Sequence, residues 1–168
     1  MKYVSSDTNV WFDFNEIAQV ELPFRLPYTY IMFEEAIEDE ILTPKGLKEK
    51  LKECGLVGVD ISAEEFYLAE NYGEKYKRLS VYDRIALAIA KQRKIILVTG
   101  DGALRKAALN EEVSVIGTIG LLDSLLGGEY ITQKEYEKCL LDLQAANGGK
   151  IRLPEGELIE RISRFKKK

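Results

Sequence analysis

The sequence predicts an α/β protein in three layers, α/β/α, with a central parallel sheet and a C-terminal helical extension. Three observations predict it. Short apolar runs alternate with helix-periodic segments over residues 1–127. One of these runs, Ile95-Ile96-Leu97-Val98, is uninterrupted and aliphatic, as suits a strand covered on both faces. Twice, at Asp7 and at Asp101, an apolar run leads into an aspartate and then into a helical pattern.

Taken in order, strands are predicted at 2–5, 28–32, 56–59, 95–99 and 113–116, where β-branched and aromatic residues cluster between turn formers. The fourth, being the most apolar, is expected in the middle of the sheet. Helices are predicted at 9–17, 34–42, 46–54, 63–77, 81–92 and 102–110, several of them opening on a capping residue. After Gly127-Gly128 the pattern becomes purely helical. A segment at 132–146 opens with a capping box of Thr132 and Glu135. Beyond Gly148-Gly149, a last amphipathic helix carries Leu158, Ile159, Ile162 and Phe165. With 168 residues, about one domain's worth, we assign the sheet domain to 1–127 and a helical extension, packed on or beside it, to 128–168.

Composition narrows the chemistry. The chain has no histidine, which removes histidine triads, dyads and histidine-based nucleases. Its two cysteines, Cys54 and Cys139, cannot build a tetrahedral zinc site without imidazole, so any metal would be held by oxygen. A net charge of −4 argues against a broad basic face for duplex DNA but allows a local basic patch. No apolar run approaches the ~18 residues of a membrane span, and no charged segment followed by an apolar stretch opens the chain. A cytoplasmic protein with reduced thiols is expected.

Four acidic residues stand out. Asp7 and Asp101 fall at the carboxyl ends of predicted strands, where open parallel sheets form their ligand crevice. If their strands are neighbours, about 4.8 Å apart, the two carboxylates converge. Each also suits a helix N-cap, which is the commoner role for an aspartate taken alone. On the helical wheel Asp83 lies between Leu87 and Ala90 on the apolar arc, and it equally completes a capping box with Ser80. Glu40 falls among Phe33, Ala36, Ile37 and Ile41, while Glu34, Glu35, Glu38 and Asp39 take the other side; a snorkelling side chain at the edge of a short helix is the alternative. None of the four has an obvious basic partner at helical spacing. Two carboxylates about 4 Å apart repel by about 4 kcal/mol at an effective dielectric near 20, so such a cluster needs protons or a cation. Ligands made only of oxygen select Mg²⁺ or Mn²⁺, and paired ions on carboxylates suit phosphodiester hydrolysis. Arg105 and Lys106, one turn after Asp101, are candidates for holding a phosphate.

These residues resemble the PIN-domain nucleases, the family that includes the VapC-type toxins of toxin–antitoxin pairs. The resemblance covers roughly residues 1–127 and rests on four segments in order. Ser6-Asp7-Thr8-Asn9 comes first; Ile37-Glu38-Asp39-Glu40-Ile41 is similar to the family's Val-x-x-Glu-Leu. Asp83-Arg84-Ile85-Ala86-Leu87-Ala88 and Val98-Thr99-Gly100-Asp101 are similar to its Asp-x-x-x-Ala and Thr-x-Asp signatures. The chain departs from the pattern at Glu34, where members often carry proline, and in an irregular stretch over 16–27. The resemblance implies a PIN-like fold and a metal-dependent endoribonuclease acting on single-stranded RNA. It implies that Asp7, Glu40, Asp83 and Asp101 hold Mg²⁺ or Mn²⁺, with Thr8, Asn9 and Thr99 orienting them. The partners it implies are an RNA substrate, an antitoxin protein and a second copy in a homodimer. The competing expectation is a non-catalytic module of the same fold that docks RNA or protein.

Other features point elsewhere with less force. Arg161, Arg164, Lys166, Lys167 and Lys168 gather positive charge at the C-terminus, most simply as a solvated face. Trp11, Phe12 and Phe14 could stack on bases but suit the core better. Gly100-Asp101-Gly102 is no dinucleotide fingerprint, because Arg105 replaces its third glycine. The Asp-x-Asp of receiver-like phosphatases is missing after the first strand.

Overall fold

In the computed structural model, which describes residues 2–166, strand β1 (Lys2–Ser6) lies at the centre of a five-stranded, wholly parallel sheet. Helix α1 (Thr8–Glu16) and a 3₁₀ turn at Leu22–Arg25 lead to β2 (Tyr28–Phe33). Helices α2 (Glu34–Glu40) and α3 (Leu47–Cys54) precede β3 (Val57–Val59). Helices α4 (Ala63–Lys75) and α5 (Val81–Arg93) then carry the chain back to β4 (Ile96–Val98). Helix α6 (Gly102–Asn110) joins β4 to β5 (Val115–Ile116), and α7 (Thr118–Gly127), α8 (Gln133–Ala146) and α9 (Glu155–Lys166) complete the chain. Lys167 and Lys168 of the basic terminus lie outside the described residues.

The strand order is β3-β2-β1-β4-β5, so the sheet grows outward from β1 in both directions. That makes the β1/β4 boundary the switch point, where connections leave to opposite sides and open a crevice beyond the carboxyl ends of the strands. Ser6 of β1 is in register with Val98 of β4, and the Asp7 amide continues the ladder onto Val98 O at 2.8 Å. Asp7 and Asp101 therefore leave from neighbouring strands.

The middle position belongs to β1, which corrects the placement expected for the Ile95–Val98 run. Strand β4 is interior, but β5 alone lies beyond it. The central strand is disguised by two serines that the fold buries with partners: Ser5 Oγ donates to Ala86 O at 2.9 Å, and Ser6 Oγ accepts from Trp11 Nε1 at 3.2 Å. Once hydrogen-bonded, a buried hydroxyl costs little, so a central strand need not be apolar throughout.

Successive strand residues alternate between two cores, one on each face. Val4, Tyr30, Met32 and Val98 face the larger one, with Trp11 and Phe14 of α1 and the apolar stripes of α7, α8 and α9. Ile31 and Leu97 face the other, under α4, α5 and α6. Trp11 is fully buried and stacks on Phe24 with ring centroids 5.1 Å apart, so the first-helix aromatics are chiefly core. Leu140, Leu143 and Leu158 of the C-terminal helices are fully buried in that same core. Helix α7, absent from the elements expected, turns Ile119, Leu121, Leu122 and Leu125 into that core, where it packs against the 3₁₀ turn, α1 and α8.

Candidate active site

Each of the four acids is delivered by a different element to the carboxyl end of the sheet. Asp7 follows β1 and N-caps α1: its Oδ1 accepts from the Thr8 amide at 2.7 Å and its Oδ2 from Thr99 Oγ1 at 2.9 Å. Asp101 follows β4 and N-caps α6, its Oδ2 accepting from the Leu104 amide at 2.9 Å. Its own amide donates to Thr99 Oγ1 at 3.1 Å. Thr99, fully buried, thus ties the two strand ends together through one hydroxyl that donates to one aspartate and accepts from the backbone of the other.

Asp83 sits in the first turn of α5 and closes the capping box with Ser80, at 3.2 Å in each direction. Glu40 is the last residue of α2; the residue as a whole is exposed, yet its Oε1 accepts from Thr8 Oγ1 at 2.7 Å. The capping and functional roles left open by the sequence are thus compatible. A cap bond engages one lone pair of a carboxylate that has about four, and it fixes the direction of the rest.

The charges of these acids act on one another in pairs. Burial, then the Asp83 and Glu40 charges, push the Asp7 carboxyl up to about 7 against the opposing bonds from Thr99 and Thr8. Burial first, then the charges of Asp83 and Asp39, raise Glu40 against its Thr8 bond. Asp83 is raised by burial and by the Asp101 charge, against its Ser80 bonds and Arg84. Asp83 is therefore the hub, felt by Asp7 and Glu40 and itself feeling Asp101. Among the described residues none of the four carboxylates is in an ion pair, so proton uptake is what relieves the repulsion in the protein alone.

Carboxylates gathered at one edge of the sheet, none of them in an ion pair with a described residue, have the oxygen-donor chemistry of a site for a hard divalent cation. A recess of about 10 Å³ lined by Asp7, Thr8, Glu40 and Tyr82 has room for about one water-sized sphere. Among the described residues, no three acidic or thiol side chains yet close on a single point as a ligand sphere. Thr8 and Thr99 hold Glu40 and Asp7 by hydrogen bonds that would have to share those oxygens with an ion.

Beside this recess opens a larger cleft of about 810 Å³, whose walls include Asn9, Phe12, Asp13, Asp101, Lys150 and Arg152. Asn9 is exposed here and makes no side-chain hydrogen bond to the acids, in contrast to Thr8 and Thr99. Arg105 lines a different pocket, with Gly117 and Arg161, and Lys106 is exposed on α6; neither lines the large cleft. Asp13, Lys150 and Arg152 are residues that the sequence did not single out. Asp13 is buried, accepts from Thr118 Oγ1 at 2.7 Å, and is pushed up to about 6 by that burial. Its spacing of four from Asn9 and three before Glu16 is the signal that would have placed all three on one helical face.

A family model described as a PIN domain matches residues 3–167 of the chain. The chain belongs to the PIN-domain family. The match takes in α8 and α9 as well as the sheet, as does the buried core. PIN domains are in general nucleases, which places this chain in broad terms with the hydrolases, and they typically use divalent metal. Comparison with curated proteins gives no match, nor does comparison with solved structures. Among the described residues, no helix of this PIN domain is long and apolar enough to cross a membrane.

Proposed function

We propose that this PIN domain is a divalent-metal-dependent endoribonuclease that hydrolyses phosphodiester bonds in single-stranded RNA. The observation that carries the proposal is the placement of Asp7 and Asp101 at the adjoining ends of β1 and β4, tied through Thr99, with Glu40 bonded to Thr8 beside them and the Asp83 charge felt by Asp7 and Glu40, at the switch point of a parallel sheet.

In this proposal Asp7, Glu40, Asp83 and Asp101 hold Mg²⁺ or Mn²⁺. The bound ion would supply charge neutralisation and polarise the phosphoryl oxygens of the substrate. Thr99 and Thr8 would orient Asp7 and Glu40 toward such an ion, and Asp7, whose carboxyl burial and the Asp83 charge push up to about 7, would hold it in its ionised form. The proposal extends to a role as the toxin of a toxin–antitoxin pair, supported by the family resemblance. A pull-down from the native host that recovers no small protein partner would count against that extension.

The test is cleavage of labelled single-stranded RNA by wild-type and Asp101→Asn protein with Mn²⁺, with Mg²⁺ and with chelator. Cleavage by the wild type alone, lost with chelator, is the expected result. If both folded proteins leave RNA intact, and metal does not raise the melting temperature, the acids are helix caps and the chain is a binding module.

A further inference from the structure

One wall of the large cleft is formed by Lys150, Ile151 and Arg152, which belong to the segment 147–153, outside the four motif segments. Asn147 clamps it: Oδ1 accepts from the Leu153 amide at 2.6 Å and Nδ2 donates to Leu153 O at 3.1 Å. The Gly148 amide donates to Ile151 O at 2.9 Å, and Asn147 and Ile151 form an isolated bridge. Ile151 and Leu153 are buried in the main core. With alternate residues pinned inward, Lys150 and Arg152 stand exposed and line the cleft. The backbone that carries them is therefore held in place by Asn147 and the core.

Neither Lys150 nor Arg152 makes an ion pair with a described residue, although Asp13, Glu16 and Asp101 line the same cleft. Asp13 is engaged by Thr118, and Asp101 by the start of α6. Two cations on an anchored backbone and a half-buried aromatic, Phe12, therefore share one cleft that Asp101 also lines. Cations that track a backbone, with an aromatic surface beside them, are the recognition chemistry of a single strand.

We propose that this cleft binds the RNA strand to one side of the scissile phosphate, with Lys150 and Arg152 each taking a backbone phosphate. The inference rests on the nuclease reading and adds to it the path of the substrate. It gives the 147–153 segment a part in substrate binding that its distance in sequence from the acidic residues conceals.

The experiment measures binding of a short fluorescent single-stranded RNA to the full chain by polarisation, across a salt series. Asp7→Asn is present throughout so that the strand is not cut. Against that parent, Lys150→Ala with Arg152→Ala should weaken binding roughly tenfold at low salt and flatten the slope of log K against log salt by about 1.4, roughly 0.7 per lost phosphate contact. Lys150→Glu with Arg152→Glu should weaken it further, and unchanged melting temperatures would show that both variants fold. If the parent binds RNA and neither double variant changes affinity or slope, the strand runs elsewhere and the cleft assignment falls while the nuclease reading stands. Tighter binding of DNA of the same sequence would overturn the RNA assignment. If the wild type with Mn²⁺ neither cuts nor binds the strand, the nuclease reading itself fails, and this inference with it.

Discussion

Thr99 Oγ1 donates to Asp7 Oδ2 at 2.9 Å across the β1/β4 boundary, joining the ends of two strands that are 92 residues apart in the chain. The same oxygen accepts from the Asp101 amide, so a single buried hydroxyl ties the Asp7 carboxylate to the backbone of Asp101. A threonine suits this place because its branched Cβ fills the end of a strand while its hydroxyl reaches both partners.

Thr99→Val keeps the shape and removes the hydroxyl. Asp7, already strained by burial and by the Asp83 charge, loses its side-chain donor. We expect a loss of about 1–3 kcal/mol in chemical denaturation, the cost of leaving a buried acceptor unpaired. Mn²⁺ affinity, followed by the metal-induced rise in melting temperature, should fall about 10- to 100-fold, as when a group that orients a ligand is removed. Unchanged Mn²⁺ affinity in a destabilised variant would reduce Thr99 to a packing role.

Stability without metal should fall as pH rises. Asp7 is lifted from 3.8 to about 7, chiefly by burial and then by Asp83, and Asp13 is lifted to about 6 by burial. Folded chains therefore keep protons that unfolded chains release between about pH 4 and pH 7. The stabilisation is complete below the unfolded value and is lost as pH climbs through the folded one. In chelator, the melting temperature of the wild type should be lower at about pH 8 than at about pH 5, and Asp7→Asn should flatten that slope. Mn²⁺ should restore the wild type at high pH and do little for the variant. The opposite slope in chelator would mean that Asp7 is ionised in the metal-free fold.

The C-terminal helices should behave as part of the core. Leu158 of α9 is fully buried among the residues that also pack α1, α7 and α8. Leu158→Ala should cost about 2–5 kcal/mol, as for a leucine in a close-packed interior. A chain cut after residue 127 should lose cooperative unfolding, because Leu121, Leu122 and Leu125 of α7 would lose the cover of Leu140 and Leu143. A cut chain that melts as sharply as the full one would show that the sheet domain stands alone.

Much of this protein is written locally. Four of the five strands are short, largely apolar runs that need no context to be recognised, and the capping boxes at Ser80 and Thr132 mark helix starts within four residues of sequence. The absence of histidine restricts a catalytic metal to oxygen ligands before any fold is known. All four acids stand where short patterns put them, two after strands and two on helical faces.

Only the tertiary structure decided how those pieces meet. That β1 is central depends on Ser5 and Ser6 finding Ala86 and Trp11, partners a local pattern cannot supply. That Asp83 couples the other three acids depends on α5 returning beneath the β1/β4 boundary, a matter of strand order rather than of spacing. Lys150 and Arg152 reach the cleft because Ile151 and Leu153 are drawn into a core shared with α1. Periodicity and capping act over about four residues and are legible in sequence. Burial and charge coupling act between residues that meet only once the chain has closed on itself, and they belong to the fold.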